Sequence, residues 1–423
     1  MTTVLSEIDA ILKDRYEDEV PIIGHQDPVA WATTKKTTDF RGRRKSYAVQ
    51  TGMTPGVSHS FSDAQSNADA EAFEEFLVTR SKDYVIVKVD AEAYEAAEGE
   101  GAQVAYVERQ VETARKTAKW RMNRAFYRNH GAALARLDAS ASGGGTATLL
   151  VQERYRQDLR ILSRRMVLVS SNTDGTSGSV DANPGIVLGI NLRTGEITIA
   201  SGNWNASFAN SDWLFLEGDF GAGFYGWEDW NPLTAPTSTA YFGLDRTRHE
   251  QRLSGNRPVA TVEDNTLENF ILRAITENGV FGSGGRPKLR LLWNPTHNTQ
   301  LIRELGNSTH YDKTVTASEN TDGPNAEIGF KSISMCIANH DVEILSDPDA
   351  PLHQAYLGDP EMLTFEGLGE PTRVLKYKDD SFMWSRLGDA DAMESRVGTK
   401  GQFVMHAPGH FSNLNLEALT NPT

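Results

Sequence analysis

Cysteine is nearly absent from this 423-residue sequence: Cys336 stands alone. One thiol cannot close a disulfide within the chain, nor build a cysteine zinc site with its neighbours. The fold is therefore expected to rest on burial and to need no oxidising compartment. No apolar run reaches the ~18 residues of a membrane-spanning helix, so no membrane partner is expected. Residues 1–21 alternate acidic and apolar side chains without an apolar stretch ending in small residues, and are not expected to be a secretory signal. Basic residues are outnumbered, 42 to 57, for a net charge of −15. That argues against a sequence-reading DNA-binding protein, which carries a basic face. It does not exclude enclosing nucleic acid, because a net acidic wall avoids adsorbing the polymer it packs.

Catalytic signatures are missing too. His249-Glu250 lacks the second histidine of a zincin, no Walker lysine follows the glycines at 282–285, and no GxSxG occurs. Gly221-Ala-Gly223-Phe-Tyr-Gly226 matches a dinucleotide fingerprint, but that motif must open a helix, and Pro232 and Pro236 follow closely. A glycine-rich turn at a strand end is expected instead. Asn172-Thr-Asp174-Gly175 resembles part of a calcium loop, yet the sixth and twelfth positions hold Ser177 and Asn183. A turn is the reading there. Trp213, Trp227 and Trp230 with Asp219, Glu228 and Asp229 suggest a sugar cleft with paired carboxylates. Tryptophans at the strand ends of a small β unit are more simply its core. No catalytic, cofactor or metal residues are assigned, and the chain is not expected to be an enzyme.

What is present is a folded composition, 39% hydrophobic and 23% charged, with 36 glycines for turns. The length allows two or three domains. One stretch organises the rest. From 103 to 137, apolar residues fall at Val104, Val107, Val111, Ala114, Ala118, Met122 and Ala125, with Ala132 and Ala133 beyond. Intervals of three and four draw one stripe along a helix. Neither Gly nor Pro interrupts residues 103–130, so the helix is expected to run about 40 Å at ~1.5 Å per residue. Arg109, Arg115, Lys116, Lys119, Arg121, Arg124 and Arg128 occupy the other faces, expected to be solvated. Five acids between Asp90 and Glu100 precede it, which suits the helix dipole.

In chain order, residues 5–18 read as a short helix. Residues 20–45 form a Pro-punctuated arm ending in Lys35, Lys36, Arg41, Arg43, Arg44 and Lys45, and 46–67 a Gly/Ser/Thr-rich hairpin-like loop with little core. Residues 76–80 and 84–89 are strands joined by 81–83. Residues 154–166 make a short helix. From 166 the texture is all-β, with strands at 166–169, 185–190, 196–200 and 213–216. A mixed region follows from about 239. Asn265 opens a capping box for a helix stopped by Gly279. A strand at 289–293, a helix at 298–305, and strands at 332–337 and 342–345 come next. After 361, short strands alternate with turns.

The order of these blocks resembles the major capsid proteins of tailed double-stranded DNA phages. The resemblance lies in FLVTRSKDYVIVKVDAEA (76–93) before the acidic stretch and long helix, RHEQRLSGNRP (248–258), and Leu289 to Leu305 with its Trp-Asn-Pro-Thr. Ile328-Gly-Phe330 leading to Leu345-Ser-Asp-Pro348, and Glu394-Ser-Arg396 leading to Ala407-Pro408-Gly409, complete it. It implies an α+β, Hong Kong 97-type fold: an arm (1–45), an extended loop (46–72), a peripheral domain with the spine helix (73–139), an inserted small all-β unit (140–238), an axial domain (239–350) and a return to the peripheral domain (351–423). It further implies hexamers and pentamers closing an icosahedral shell around packaged DNA, bound non-specifically. The subunits would assemble in the host bacterial cytoplasm and reside in the virion. Partners would be other copies, a separate scaffolding protein, a portal and a decoration protein. Autocatalytic crosslinking, known in part of the family, is placed on no lysine here. Lys35, Lys36, Arg41, Arg43, Arg44, Lys45, Arg80, Arg115, Lys119, Glu394 and Arg396 are the candidate assembly residues. The bottom-up reading agrees, because an extended arm and a flat hairpin need neighbours to bury them. An encapsulin-like compartment and a carbohydrate-binding β protein are the alternatives.

Overall fold

The computed structural model describes residues 28–90, 102–141, 146–200, 208–261, 264, 266–278, 289–306, 333–337, 340–375, 385–386 and 391–420. The expected helix at 5–18, the acidic stretch after Asp90, Asn265, Gly279 and the glycines at 282–285 lie outside those residues.

The chain opens with α1 (Val29–Thr33), β1 (Lys35–Thr37) and β2 (Arg44–Gln50), then α2 (Phe61–Ser66), β3 (Phe73–Thr79) and β4 (Ser81–Asp90), and then the long α3 (Ala102–Tyr127). β2 pairs antiparallel with β3, Tyr47 opposite Phe76, as a separate hairpin. Residues 81–83 are not a connector, as expected from sequence, but the start of β4. Only Arg80 separates it from β3, and the two strands enter different sheets.

The apolar stripe of α3 is where periodicity puts it. Val111, Ala114 and Ala118 pack on Val85, Val87, Val374 and Val397, while Met122 and Phe126 enter the main core. The helix ends ten residues before the expected Leu137. Gly131 lies against the backbone of Asp174 and Gly175, where any Cβ would meet Asp174 O at 2.1 Å, and Ala132 turns through φ 60°. The chain leaves the helix there to enter a sheet.

That sheet comprises β5 (Ala135–Arg136), β6 (Thr146–Leu150), β7 (Val167–Ser171), β8 (Gly185–Asn191), β9 (Glu196–Ala200) and β10 (Trp213–Leu216), in the order β5-β10-β7-β8-β9-β6. All its pairings are antiparallel. Residues 154–166 are not an α-helix as expected: Glu153–Ile161 forms 3-10 turns, with Tyr155, Leu159 and Ile161 buried in the core of this sheet. Then come α4 (Trp227–Trp230), α5 (Glu250–Ser254), α6 (Leu267–Asn278), β11 (Leu289–Trp293), α7 (Pro295–Gly306), β12 (Ile333–Ile337) and β13 (His340–Ser346). α7 starts three residues before the expected Asn298. Asn294 Oδ1 accepts from Thr296 N and Oγ1, and Pro295 fills the first helical position, where its missing N–H costs nothing. At α6, Thr266 Oγ1 accepts from Asn269 N and Glu304 accepts from Leu267 N.

The tail supplies β14 (Gln354–Gly358), β15 (Leu363–Gly367), β16 (Arg373–Val374), β17 (Ser385–Arg386), β18 (Ala392–Met405), β19 (Phe411–Asn415) and α8 (Glu417–Thr420). Its expected short strands include one of 14 residues, β18. Gly398 and Gly401 lie within this strand, where they make room for neighbours. A Cβ at Gly401 would meet Phe365 at 2.6 Å, and one at Gly398 would meet Leu375 at 2.7 Å. β18 pairs with β4 over ten positions, from Ala392 opposite Asp90 to Gly401 opposite Ser81. It also pairs with β15, β16 and β17 on its other edge, and β1 joins β15 in parallel. A third sheet runs β12-β13-β11-β14-β19. The main core sits where these units meet, around Trp31, Phe76, Phe126, Trp227, Trp230 and Phe403.

Candidate assembly surfaces

The basic side of α3 divides in two. Arg115, Lys116 and Lys119 are exposed, as expected of a solvated face. The next turns are not solvated. Arg121 donates to Asp83 (2.9 Å) and to both oxygens of Asp219 (3.1 Å). Arg124 lies 3.3 Å from Asp158, and Arg128 joins Asp158 to Glu228. Burial works against the charge on Arg128, and Asp158 with Glu228 outweighs it, holding the guanidinium above its ordinary pKa. This seam ties α3 to β4, to the 3-10 turns and to the segment before α4. It lines a cavity of about 230 Å³ with Lys82, Asp83, Glu217 and Asp219 on its walls.

Beyond α3 the three glycines of the apparent fingerprint press on the helix end. Gly223 N donates to His130 O (2.9 Å), Gly226 N donates to Arg128 O (3.1 Å), and a Cβ at Gly226 would meet Ala125 O at 2.2 Å. With Gly221 N donating to Gly131 O (3.1 Å), their N–H groups satisfy carbonyls of the turn that follows the helix. Trp227 and Trp230 are buried, but in the main core and not in the core of the small β unit as expected; of the three tryptophans only the half-buried Trp213 packs on that unit's core. The carboxylates of the Trp-rich segment are engaged as well: Asp219 on Arg121, Glu228 on Arg128, and Asp229 on His130 at 2.8 Å. Asp174 accepts from Thr176 within its own turn, and from Asn129.

The candidate assembly residues separate by environment. Arg41, Arg43 and Arg44 are exposed beside the hairpin, Arg41 3.8 Å from Asp39. Lys35 reaches Glu361 at 3.4 Å across solvent. Lys36 turns inward: its Nζ donates to Trp31 O (2.5 Å) and Thr34 O (3.1 Å). Burial and the nearby Lys119 hold its pKa below the usual lysine value. Lys45 Nζ donates to Glu366 (2.6 Å), a buried carboxylate that also accepts from Tyr47 Oη, while the Tyr47 ring meets His406 edge-on at 5.3 Å. Arg80 donates to Phe40 O and covers its ring. Glu394 is buried under Arg396, which donates to it at 2.5 Å. Lys36, Lys45, Arg80, Glu394 and Arg396 thus have partners inside the subunit, while Arg41, Arg43, Arg44, Arg115 and Lys119 face outward.

Two further surfaces bear on assembly: the hairpin that the sequence already marks as needing neighbours, and a sheet face that went unseen there. The base of the hairpin lies on the body: Tyr47 and Val49 pack against the main core, Phe76 and Val78 are fully buried, and Arg252 donates to Thr51 O. The expected lack of core therefore holds for the tip and not for β2. At the tip, Met53, Val57 and Phe61 are 81–82% exposed. Residues 46–79 contain no Lys or Arg but five acids: Asp63, Asp69, Glu71, Glu74 and Glu75. The second surface is the face of β4 and β18 turned away from α3. It shows Lys82, Tyr84, Ile86 and Lys88 alternating along β4, with Arg396 opposite Ile86 and Lys400 opposite Lys82. Tyr84 and Ile86 are 46% and 52% exposed. Strand alternation carries this pattern, but a reader of sequence alone cannot say which face the helix covers.

No protein-family model matches the chain. No curated protein matches it either. Among solved structures it is similar to a chain of the cyanophage A-1(L) capsid asymmetric unit, at TM-score 0.54 and 11% identity, covering 96% of this chain and 97% of that one. Looser likenesses include the capsid of a native GTA particle (TM-score 0.46, 9% identity, 98% of each chain) and a chain from Mycobacterium phage Bobi (TM-score 0.42, 9% identity, 97% of each). The cyanophage likeness is one of fold, and it extends over 96% of this chain.

Proposed function

We propose that the chain is the major capsid protein of a tailed double-stranded DNA phage, with a Hong Kong 97-type fold. In this reading it assembles as hexamers and pentamers into an icosahedral shell around DNA and has no turnover of its own. The observation that carries it is the hairpin tip. A monomer gains nothing from holding Met53, Val57 and Phe61 in water at the end of a two-stranded ribbon, and such ribbons are marginal alone. A second copy that covers the tip gives it a purpose. The tip is acidic and apolar, and the outward face of β4 and β18 sets Lys82, Lys88, Arg396 and Lys400 with Tyr84 and Ile86 against only Asp90 and Glu394, so two copies complement each other despite a shared net charge of −15. The arm, extended loop, peripheral and axial domains and β-rich insert take the boundaries that the resemblance implies. Scaffolding, portal and decoration proteins, assembly in the host cytoplasm and residence in the virion belong to the same reading.

Electron microscopy of the expressed protein, alone and with a co-expressed scaffold, tests it. Closed shells are expected. Monodisperse monomer under both conditions would sink the proposal, and shells filled with a cargo enzyme instead of DNA would move it to an encapsulin-like compartment. Reproducible hydrolase activity lost on changing Asp219 or Glu228 would overturn the claim of no turnover.

A further inference from the structure

Two aspartates of the turn after β13 come together against α3, and every hydrogen bond to them comes from a neutral group. Asp347 is 1% exposed. Tyr127 Oη donates to it at 2.8 Å and Asn123 Nδ2 at 3.0 Å, while the N–H of Asp349 donates to its other oxygen at 2.9 Å. Asp349 in turn accepts from the same Asn123 Nδ2 at 2.7 Å and from Trp120 Nε1 at 2.8 Å. The cations of this part of α3 turn elsewhere, Arg121 to Asp83 and Asp219, Arg124 and Arg128 to Asp158. Asn123 therefore stands between two carboxylates.

The same cluster fastens the arm. Ala30 N donates to Asp347 Oδ2 at 3.1 Å, and Trp31 N donates to Asn123 Oδ1 at 2.8 Å. These two bonds hold the first turn of α1 on the spine helix. We propose that Asp347, Asp349 and Asn123 form a proton-operated latch: one proton held on Asp349 keeps α1 seated on α3, and its loss loosens the seat. The inference concerns the single subunit and does not rest on the shell reading.

The groups facing Asp349 are few. Its own turn brings Asp347, α3 brings Tyr127 and the neutral Trp120 and Asn123, the 3-10 turns bring Asp158, and α1 brings only backbone N–H groups. Burial first, and then the charge of Asp347, push Asp349 up to about 6, against the bonds from Trp120 and Asn123. With the seat closed, the proton is held up to that pH. If α1 lifts and water enters, Asp349 returns toward its ordinary value near 4 and releases it. The closed seat is thus favoured at low pH, and the advantage fades as pH rises through about 6. Full return to the ordinary value sets a ceiling of about tenfold on the change between pH 5 and 7.5.

Hydrogen exchange of the full chain, read on a peptide covering residues 28–34 and corrected for intrinsic rates, tests this. Protection in the natural protein should fall by up to about tenfold from pH 5 to 7.5. In D349N, where the side-chain oxygen still accepts from Trp120 but no longer titrates, protection should be flat. A fall of the same size in D349N, or no fall in the natural protein, overturns the latch. If D349N does not fold, D347N decides: without the neighbouring charge the fall should move to lower pH than in the natural protein, and a fall that stays at the natural protein's pH overturns it.

Discussion

Arg128 shows how residue type misleads when position is unknown. In sequence it is one more cation on a polar helix face. In the fold it is buried between Asp158 and Glu228, with its guanidinium over the Tyr155 ring at 4.9 Å. R128A leaves two buried carboxylates short of a partner and should cost about 3–5 kcal/mol, whereas R115A on the exposed part of the same helix should stay within about 0.5 kcal/mol. Chemical denaturation of both variants checks the contrast. His297 gives a residue-scale prediction with a sign. Burial first, and His353 second, lower its pKa to about 4, and its Nε2 accepts from His353 N at 3.2 Å. The folded state thus keeps it neutral where the unfolded chain would protonate it. Its contribution is present above about pH 6.5 and is lost as pH falls toward 4, by up to about 3 kcal/mol. H297Q should lose less stability than the natural protein between pH 7 and 4.5, measured as the shift of the denaturation midpoint. An equal loss in both would contradict the assignment.

Elements were legible where a period held long enough. The stripe from Val111 to Met122, the strand at 289–293 and the strand at 196–200 lie where alternation or helical spacing puts them. The end of α3 was not legible, because it is set by Gly131 meeting Gly175 across a sheet that sequence cannot fold. Nor was β18, because its glycines are explained only by Phe365 on β15 and by Leu375 just past β16. The cap of α7 was legible in principle: Trp-Asn-Pro-Thr holds a capping side chain followed by proline at the first helical position. The hairpin divides the same way. Its base is fixed by Tyr47 and Phe76, while residues 53–71 return little to the subunit. Replacing 53–71 by a short Gly-Ser link should preserve a soluble subunit whose cooperative melting shifts by no more than a few degrees, because Thr51 N and Gly52 N still meet Ala72 O at the neck. Particles should be absent or fragile by light scattering and microscopy. A melted subunit would place the tip in a core; shells of normal stability would show that it is not an assembly element.

For the whole molecule, the question is how copies carrying −15 each can meet at all. Beyond what apolar burial supplies, like-charged bodies attract where local patches of opposite sign face each other within a Debye length, about 8–10 Å in ordinary salt. Of the six clustered cations seen in sequence, Lys36 and Lys45 are bound within the subunit and Lys35 reaches Glu361. Arg43 and Arg44 remain exposed, at the start of the hairpin whose outer part carries only acids. A solvated arginine contributes little to the stability of its own subunit, so their worth should lie in contacts between copies. R43E/R44E takes each subunit from −15 to −19, a change of two units at each of two positions. The subunit should fold and melt as before and fail to form empty shells, while R43Q/R44Q, which removes attraction without adding repulsion, should assemble more weakly and with less sensitivity to salt. If the arginines face the lumen instead, empty shells of R43E/R44E should form normally and only the retention of DNA should fall. Sedimentation of particles made without DNA separates the two outcomes, and normal empty shells from R43E/R44E would refute the contact between copies.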